Sequence, residues 1–250
     1  MADTYRLITI PPSHFCEKAR WALDRYEVPY VEQCHPPILH YLATRKAGGG
    51  RTAPVLVTDV GVFADSTDIL DFVDGRFATD RRLYPAENQQ RREVTELEEL
   101  FDTKLGPHTR RVAYFHLLPH TRLLLEAALH RASGRDRAVF RGSLPLMKLL
   151  LRRGMRITPE GAARSLDRVR EVFDTVGQRL AEGRRYLVGE RFTAADLTFA
   201  ALASPVLLPR GFGAPLPSLS ELPASVLPLI EEMRDTDAGG VAQRLYRDER

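Results

Sequence analysis

Ser13 and Cys16 stand three positions apart, directly after the apolar run Leu7-Ile8-Thr9-Ile10 and the pair Pro11-Pro12. The run reads as a short strand, and the prolines end sheet pairing before a helix begins. Phe15, Ala19, Ala22 and Tyr26 recur at spacings of four, three and four, which is one face of that helix. Ser13 falls where an N-cap belongs, so the unpaired N–H groups of the first turn point at whatever sits beside Ser13 and Cys16. The chemistry open to such a spot is stabilisation of an anion, a thiolate above all. A Ser-x-x-Cys pair cannot close an internal disulfide, so dithiol chemistry is not expected of it. Cys16, one turn inside the helix, is expected to be buried, although an exposed Cys16 could form a mixed disulfide. Cys34 reads as a packing residue.

Other chemistry-bearing residues give less. His116 and His120 have the four-residue spacing of metal ligands on a helix, but Pro119 disturbs that helix and no third ligand accompanies them, so no metal is expected. His14 sits beside the sulfur position and could touch a ligand, although a first-turn residue is expected to face solvent. Thr193 and Asp196 have the spacing of a capping box opening the apolar helix that follows, which makes Asp196 structural rather than catalytic.

The elements that must position these residues change character along the chain. Up to about residue 80, strand and helix alternate. Tyr30-Val31-Glu32-Gln33 reads as a second strand, Ile38, Leu39 and Leu42 suggest a short helix, and Gly48-Gly49-Gly50 is a turn. Ala53 to Thr58 and Val62 to Ala64 flank Asp59-Val60-Gly61 as a hairpin, and Asp65-Ser66 opens a helix carrying Ile69, Leu70, Phe72, Val73 and Phe77 on its buried side. Pro54 starts a strand, where it gives up no ladder bond, and an X-Pro bond adopts cis at a cost of only about 0.5 to 1 kcal/mol. A cis bond would turn the backbone of Ala53 outward, toward an extended ligand. Beyond Arg81-Arg82-Leu83-Tyr84-Pro85 strand signals largely vanish. Leu97, Leu100, Phe101 and Leu105 form a helical stripe, and Leu166 through Leu180 form another behind Pro159.

The order strand, Ser-x-x-Cys helix, strand, helix, Thr52-Ala53-Pro54, hairpin, Asp65-Ser66 resembles the thioredoxin-like domain of the cytosolic glutathione S-transferases. The segment Tyr186 to Thr198 is similar to the buried capping-box segment of their helical domain. The resemblance implies an α/β thioredoxin-like N-terminal domain over 1–80, a linker over 81–89 and an all-helical substrate-binding domain over 90–250. It implies glutathione as co-substrate, with Ser13 donating a hydrogen bond to its sulfur. Cys16 matches the second, dispensable cysteine of related thiol oxidoreductases. It further implies that Ala53 pairs with the cysteinyl backbone and that Asp65 with Ser66 holds the γ-glutamyl group; His14, Phe15, Thr52 and Pro54 complete the expected glutathione contacts. A homodimer is implied, with a detoxifying transferase, a glutathione-dependent isomerase or thiol reductase, and a non-catalytic binding protein as the functions open to it.

The energies suit the transferase. A free thiol with pKa near 8.5 is only a few per cent ionised at pH 7, and lowering that value by about two units takes roughly 2.7 kcal/mol. A hydroxyl hydrogen bond to charged sulfur is worth about 1.5 to 3 kcal/mol and a helix N-terminus about 0.3 to 1, which suffices.

Composition bounds the remainder. With 250 residues and 44% hydrophobic content the chain is long enough for two cores. Met1-Ala2-Asp3-Thr4 lacks the basic and apolar regions of a signal peptide, and two cysteines form no disulfide framework, so a cytoplasmic location is expected. The net charge of +3 is unevenly spread: residues 1–80 hold 8 Lys/Arg against 11 Asp/Glu, a net of −3, whereas 104–170 hold 15 against 4, a net of +11. That basic segment suggests an anionic electrophile. No aromatic platform interleaves it, so no nucleic-acid partner is expected. No run is long enough for stable membrane insertion, and Leu144 to Arg153 reads as a core helix or a lid with an anion-facing edge rather than a membrane-surface helix.

Overall fold

The computed structural model describes residues 4–77, 79–181 and 183–250. In chain order the elements are β1 (Tyr5–Thr9), α1 (His14–Arg25), β2 (Tyr30–Cys34), α2 (His40–Lys46), β3 (Val55–Val57), β4 (Val62–Phe63) and α3 (Ser66–Arg76). Helices follow throughout: α4 (Asn88–Lys104), α5 (Gly106–Leu117), α6 (Thr121–Ala128), α7 (Gly134–Gly142), α8 (Leu144–Gly154), α9 (Pro159–Leu180), α10 (Ala194–Leu207), α11 (Leu227–Arg234) and α12 (Asp237–Asp248). They build two compact units that are not contiguous in sequence. One holds the described residues up to Phe77 together with His120–Met155 and Gly213–Leu216; the other holds Thr79–Pro119, Arg156–Phe212 and Pro217–Arg250.

The first unit is built on a four-stranded sheet of order β2-β1-β3-β4. β1 and β2 run parallel, joined through α1, and β3 lies antiparallel to both β1 and β4. This is the thioredoxin-like arrangement. Leu7, Ile8, Val55 and Leu56 are buried on the central strands, and α1 packs against α3. α2 is the short helix expected from Ile38, Leu39 and Leu42, but those three do not share its buried face. Leu42 is 78% exposed, while Ile38, in a left-handed conformation at φ 73°, and Leu39 pack before the helix on a separate apolar cluster. That cluster is formed by Ala128, Leu129, Ala132, Phe140 and Met147 from α6 to α8, and His35 Nδ1 lies 2.8 Å from Asp136 Oδ2 beside it.

In the second unit α10 is the centre. Its residues are apolar on every side and nearly all buried, and α4, α5, α11 and α12 pack on it. Phe199 meets Phe101 and Phe173, with ring centroids 5.3 and 5.6 Å away. The Thr109 hydroxyl donates to the Leu202 carbonyl at 2.8 Å. Asp196 accepts the N–H of Thr193 at 2.9 Å, its hydroxyl at 2.9 Å and the N–H of Leu187 at 2.8 Å, so the capping box also anchors the preceding loop. Among the described residues no helix is long and apolar enough to cross a membrane.

Candidate active site

One end of the sheet collects the residues singled out by their types and spacing. Ile8 pairs with Val55 and Leu56 with Phe63, so the exit of β1, the entry to β3 and the exit of β4 lie side by side. Ser13 follows the first, Thr52, Ala53 and Pro54 precede the second, and Asp65 with Ser66 follows the third. All belong to the first unit.

Ser13 caps α1: its φ of −78° and ψ of 122° are extended, and its Oγ accepts the N–H of Cys16 at 3.3 Å. A hydroxyl has one proton and two lone pairs, so capping uses an acceptor and leaves the O–H proton available to a sulfur at the helix end. The Ala53–Pro54 peptide bond is cis, and the β3 ladder begins at Val55, beyond Ala53. Pro54 is buried, Ala53 half-buried and Thr52 exposed, with the Thr52 hydroxyl 3.4 Å from the Ala64 carbonyl. Asp65 is exposed and caps α3 by accepting the N–H of Thr67 at 2.8 Å; Ser66, the first residue of that helix, is buried. Lys18 Nζ donates to the Thr67 hydroxyl at 2.7 Å and so ties the start of α3 to α1.

His14 departs from the solvent-facing position expected of it. It is 2% exposed, because α1 is buried around most of its circumference, and its ring lies 4.7 Å from that of the half-buried Phe15. Cys16 is fully buried, and burial pushes its thiol above the ordinary value, offset in part by Arg20, the Ser13 hydroxyl and the Ile10 N–H, which donates to Sγ at 3.4 Å. Cys34 is buried as well, and its thiol is likewise raised by burial, against a lowering contact with the Thr9 hydroxyl.

Sequence reading missed the charged groups beneath the site. Glu17, Lys18 and Arg20 are all buried. Arg20 donates to Glu32 at 2.6 Å, to Glu17 at 3.4 Å and to the Pro11 carbonyl at 3.2 Å, while Glu17 accepts the N–H of Gly213 at 2.9 Å. Burial opposes the Arg20 charge, but Cys16, Glu32 and Glu17 hold it, and its pKa moves up. The spacing of Glu17 and Arg20 was visible, but such a pair ordinarily marks an exposed helix face.

His116 lies in the last turn of α5 and His120 is the N-cap of α6, so the two do not share a helix. Among the described residues no group of three or more His, Cys, Asp or Glu could hold a metal ion. The first unit also has a cleft of about 420 Å³ lined by Arg122, Leu125, Glu126, Leu129, His130, Arg137 and Arg141.

Comparison with known families decides the lineage. The glutathione S-transferase N-terminal domain matches residues 7–81, and the glutathione S-transferase C-terminal domain matches 159–221, together more than half the chain. The chain belongs to the glutathione S-transferase superfamily. Solved structures share this glutathione S-transferase fold at low identity. The β-etherase LigF from Sphingobium sp. strain SYK-6 is 17% identical with a TM-score of 0.61, over 96% of this chain and 99% of that one. Ure2p, in complex with S-hexylglutathione, is 17% identical with a TM-score of 0.59, over 96% and 98%. A glutathione S-transferase from Methylobacterium radiotolerans, in complex with glutathione sulfonate, is 17% identical with a TM-score of 0.56, over 96% and 94%. A search of curated proteins finds no match.

Proposed function

We propose that this protein is a glutathione transferase in which Ser13 stabilises the glutathione thiolate. The observation that carries this reading is the Ser13 hydroxyl at the N-terminus of α1, committed as an acceptor to the Cys16 N–H and retaining a proton to donate. The thiol proton leaves to solvent. The thiolate then attacks an electrophilic carbon, forming a C–S bond while the leaving group departs with its electron pair; Ser13 is a donor and not the nucleophile. Ala53 pairs with the cysteinyl backbone of glutathione, Asp65 and Ser66 receive its γ-glutamyl end, and His14, Phe15, Thr52 and Pro54 shape the rest of the pocket.

Cys16 plays no covalent part in this reading. A thiol that is fully buried and raised by burial supplies little thiolate at neutral pH, which weighs against the thiol-reductase alternative. The arginine-lined cleft between α6 and α7 supports an anionic group on the second substrate. The active species is a homodimer in the cytoplasm, acting in detoxification.

Calorimetric binding of glutathione to wild type and Ser13→Ala, with ultraviolet absorbance of the bound thiolate followed across pH, tests the proposal. Wild type should bind, with its thiolate titrating well below 8.5. Ser13→Ala should bind but titrate near the ordinary value, with turnover of an electrophile down about ten- to a hundredfold. Absence of glutathione binding by wild type would sink the transferase reading.

A further inference from the structure

α8 is apolar on both sides. Met147 and Leu151 are buried, with Met147 in the cluster formed with α6 and α7, yet Leu146, Leu149 and Leu150 are 53, 46 and 43% exposed. Their spacing of three and one puts them on one outward face, which Arg153 extends by one further turn. Val139 on α7 is also exposed. A contiguous exposed apolar stripe marks an interaction surface. The charge around the stripe selects its partner. On α8 itself the charged residues are Lys148, Arg152 and Arg153, with no Asp or Glu.

We infer that α8 is a peripheral membrane-docking helix that seats Leu146, Leu149 and Leu150 at the headgroup–acyl boundary of an anionic bilayer, with Arg152 and Arg153 on the lipid phosphates. The exposed groups are aliphatic and non-directional, without the Trp or Tyr anchor that concentrates energy in a protein interface, and long arginines can keep their charge among headgroups while the leucines descend. A second copy meeting this face with the same face would gather Lys148, Arg152 and Arg153 of both copies along one seam, with no carboxylate on either α8 to pair them. Docking is interfacial and reversible: the helix has 11 residues, too few to span a bilayer. This inference is independent of what happens at Ser13.

Co-sedimentation of the full chain with vesicles tests it, comparing phosphatidylcholine alone with an equimolar mixture of phosphatidylcholine and phosphatidylglycerol. Wild type should partition to the anionic vesicles and be released by salt. Arg152→Gln with Arg153→Gln should weaken binding roughly tenfold or more, and Leu146→Ser with Leu149→Ser and Leu150→Ser should abolish it, with thermal melting and glutathione binding as for wild type. Three results would overturn the inference: no sedimentation with either vesicle; binding to polyglutamate but not to vesicles; or a wild-type oligomer in analytical ultracentrifugation that the leucine variant dissociates without any vesicle binding.

Discussion

Arg20 Nη2 donates to the carbonyl oxygen of Pro11 at 3.2 Å, two residues before Ser13. The guanidinium thus reaches under the turn that sets the position of the capping hydroxyl, while its other nitrogens hold Glu17 and Glu32. A planar fork with five donors can serve all three at once; a lysine ammonium cannot.

Arg20→Gln should therefore be strongly destabilising, by about 3 to 5 kcal/mol, because it strands buried carboxylates. Arg20→Lys should recover less than half of that, since it restores charge but not the fork. Urea denaturation followed through Trp21 fluorescence measures both: Trp21 is the single tryptophan, buried in α1 beside Arg20. A loss within 1 kcal/mol for Arg20→Gln would show that the network carries no stability.

The first unit should be acid-labile through His40. Burial holds its imidazole down at about 4, against partly compensating contacts with the Arg51 and Pro36 carbonyls. The unfolded chain takes up a proton near pH 6.5 while the folded one does not, so this contribution is present above 6.5 and is lost as pH falls toward 4, by about 3 kcal/mol. Denaturation midpoints read through Trp21 from pH 7 to 4.5 should fall, and His40→Gln should flatten that dependence.

Asp196 predicts the opposite slope in the second unit. Burial raises its carboxyl to about 6, against hydrogen bonds from Leu187 and Thr193 that favour the ionised form. The folded state holds the proton more tightly than the unfolded state does. Its contribution is full below about pH 4 and is lost as pH rises through 6, by about 3 kcal/mol. Asp196→Asn should remove this slope and cost about 1 to 3 kcal/mol at pH 7, because its amide NH₂ would replace one acceptor facing donors only. Far-ultraviolet ellipticity, dominated by the helices, reads that change.

Much of this was legible in the sequence for identifiable reasons. Ser13, Asp65 and Thr193 cap helices through their own side-chain or capping-box bonds, which are local and need no distant partner. The β3–β4 hairpin followed from its turn at Asp59-Val60-Gly61, which is local as well. Leu42 and His14 were misread because each was judged by the helix it sits on, whereas exposure depends on which sides of that helix other elements cover. The burial of Lys18 and Arg20 escaped for the same reason.

The sequence by itself determined the element types, the caps, the capping box at Asp196, the thioredoxin-like order and the membership of a glutathione-using superfamily, because these rest on interactions spanning a few residues or on motif order. Only the tertiary structure decided that Arg20 supports the turn before Ser13, that α6 to α8 pack with the sheet unit, and that α8 turns three leucines outward. Each depends on residues far apart in the chain, and burial and charge pairing are properties of the space the fold encloses rather than of neighbouring letters.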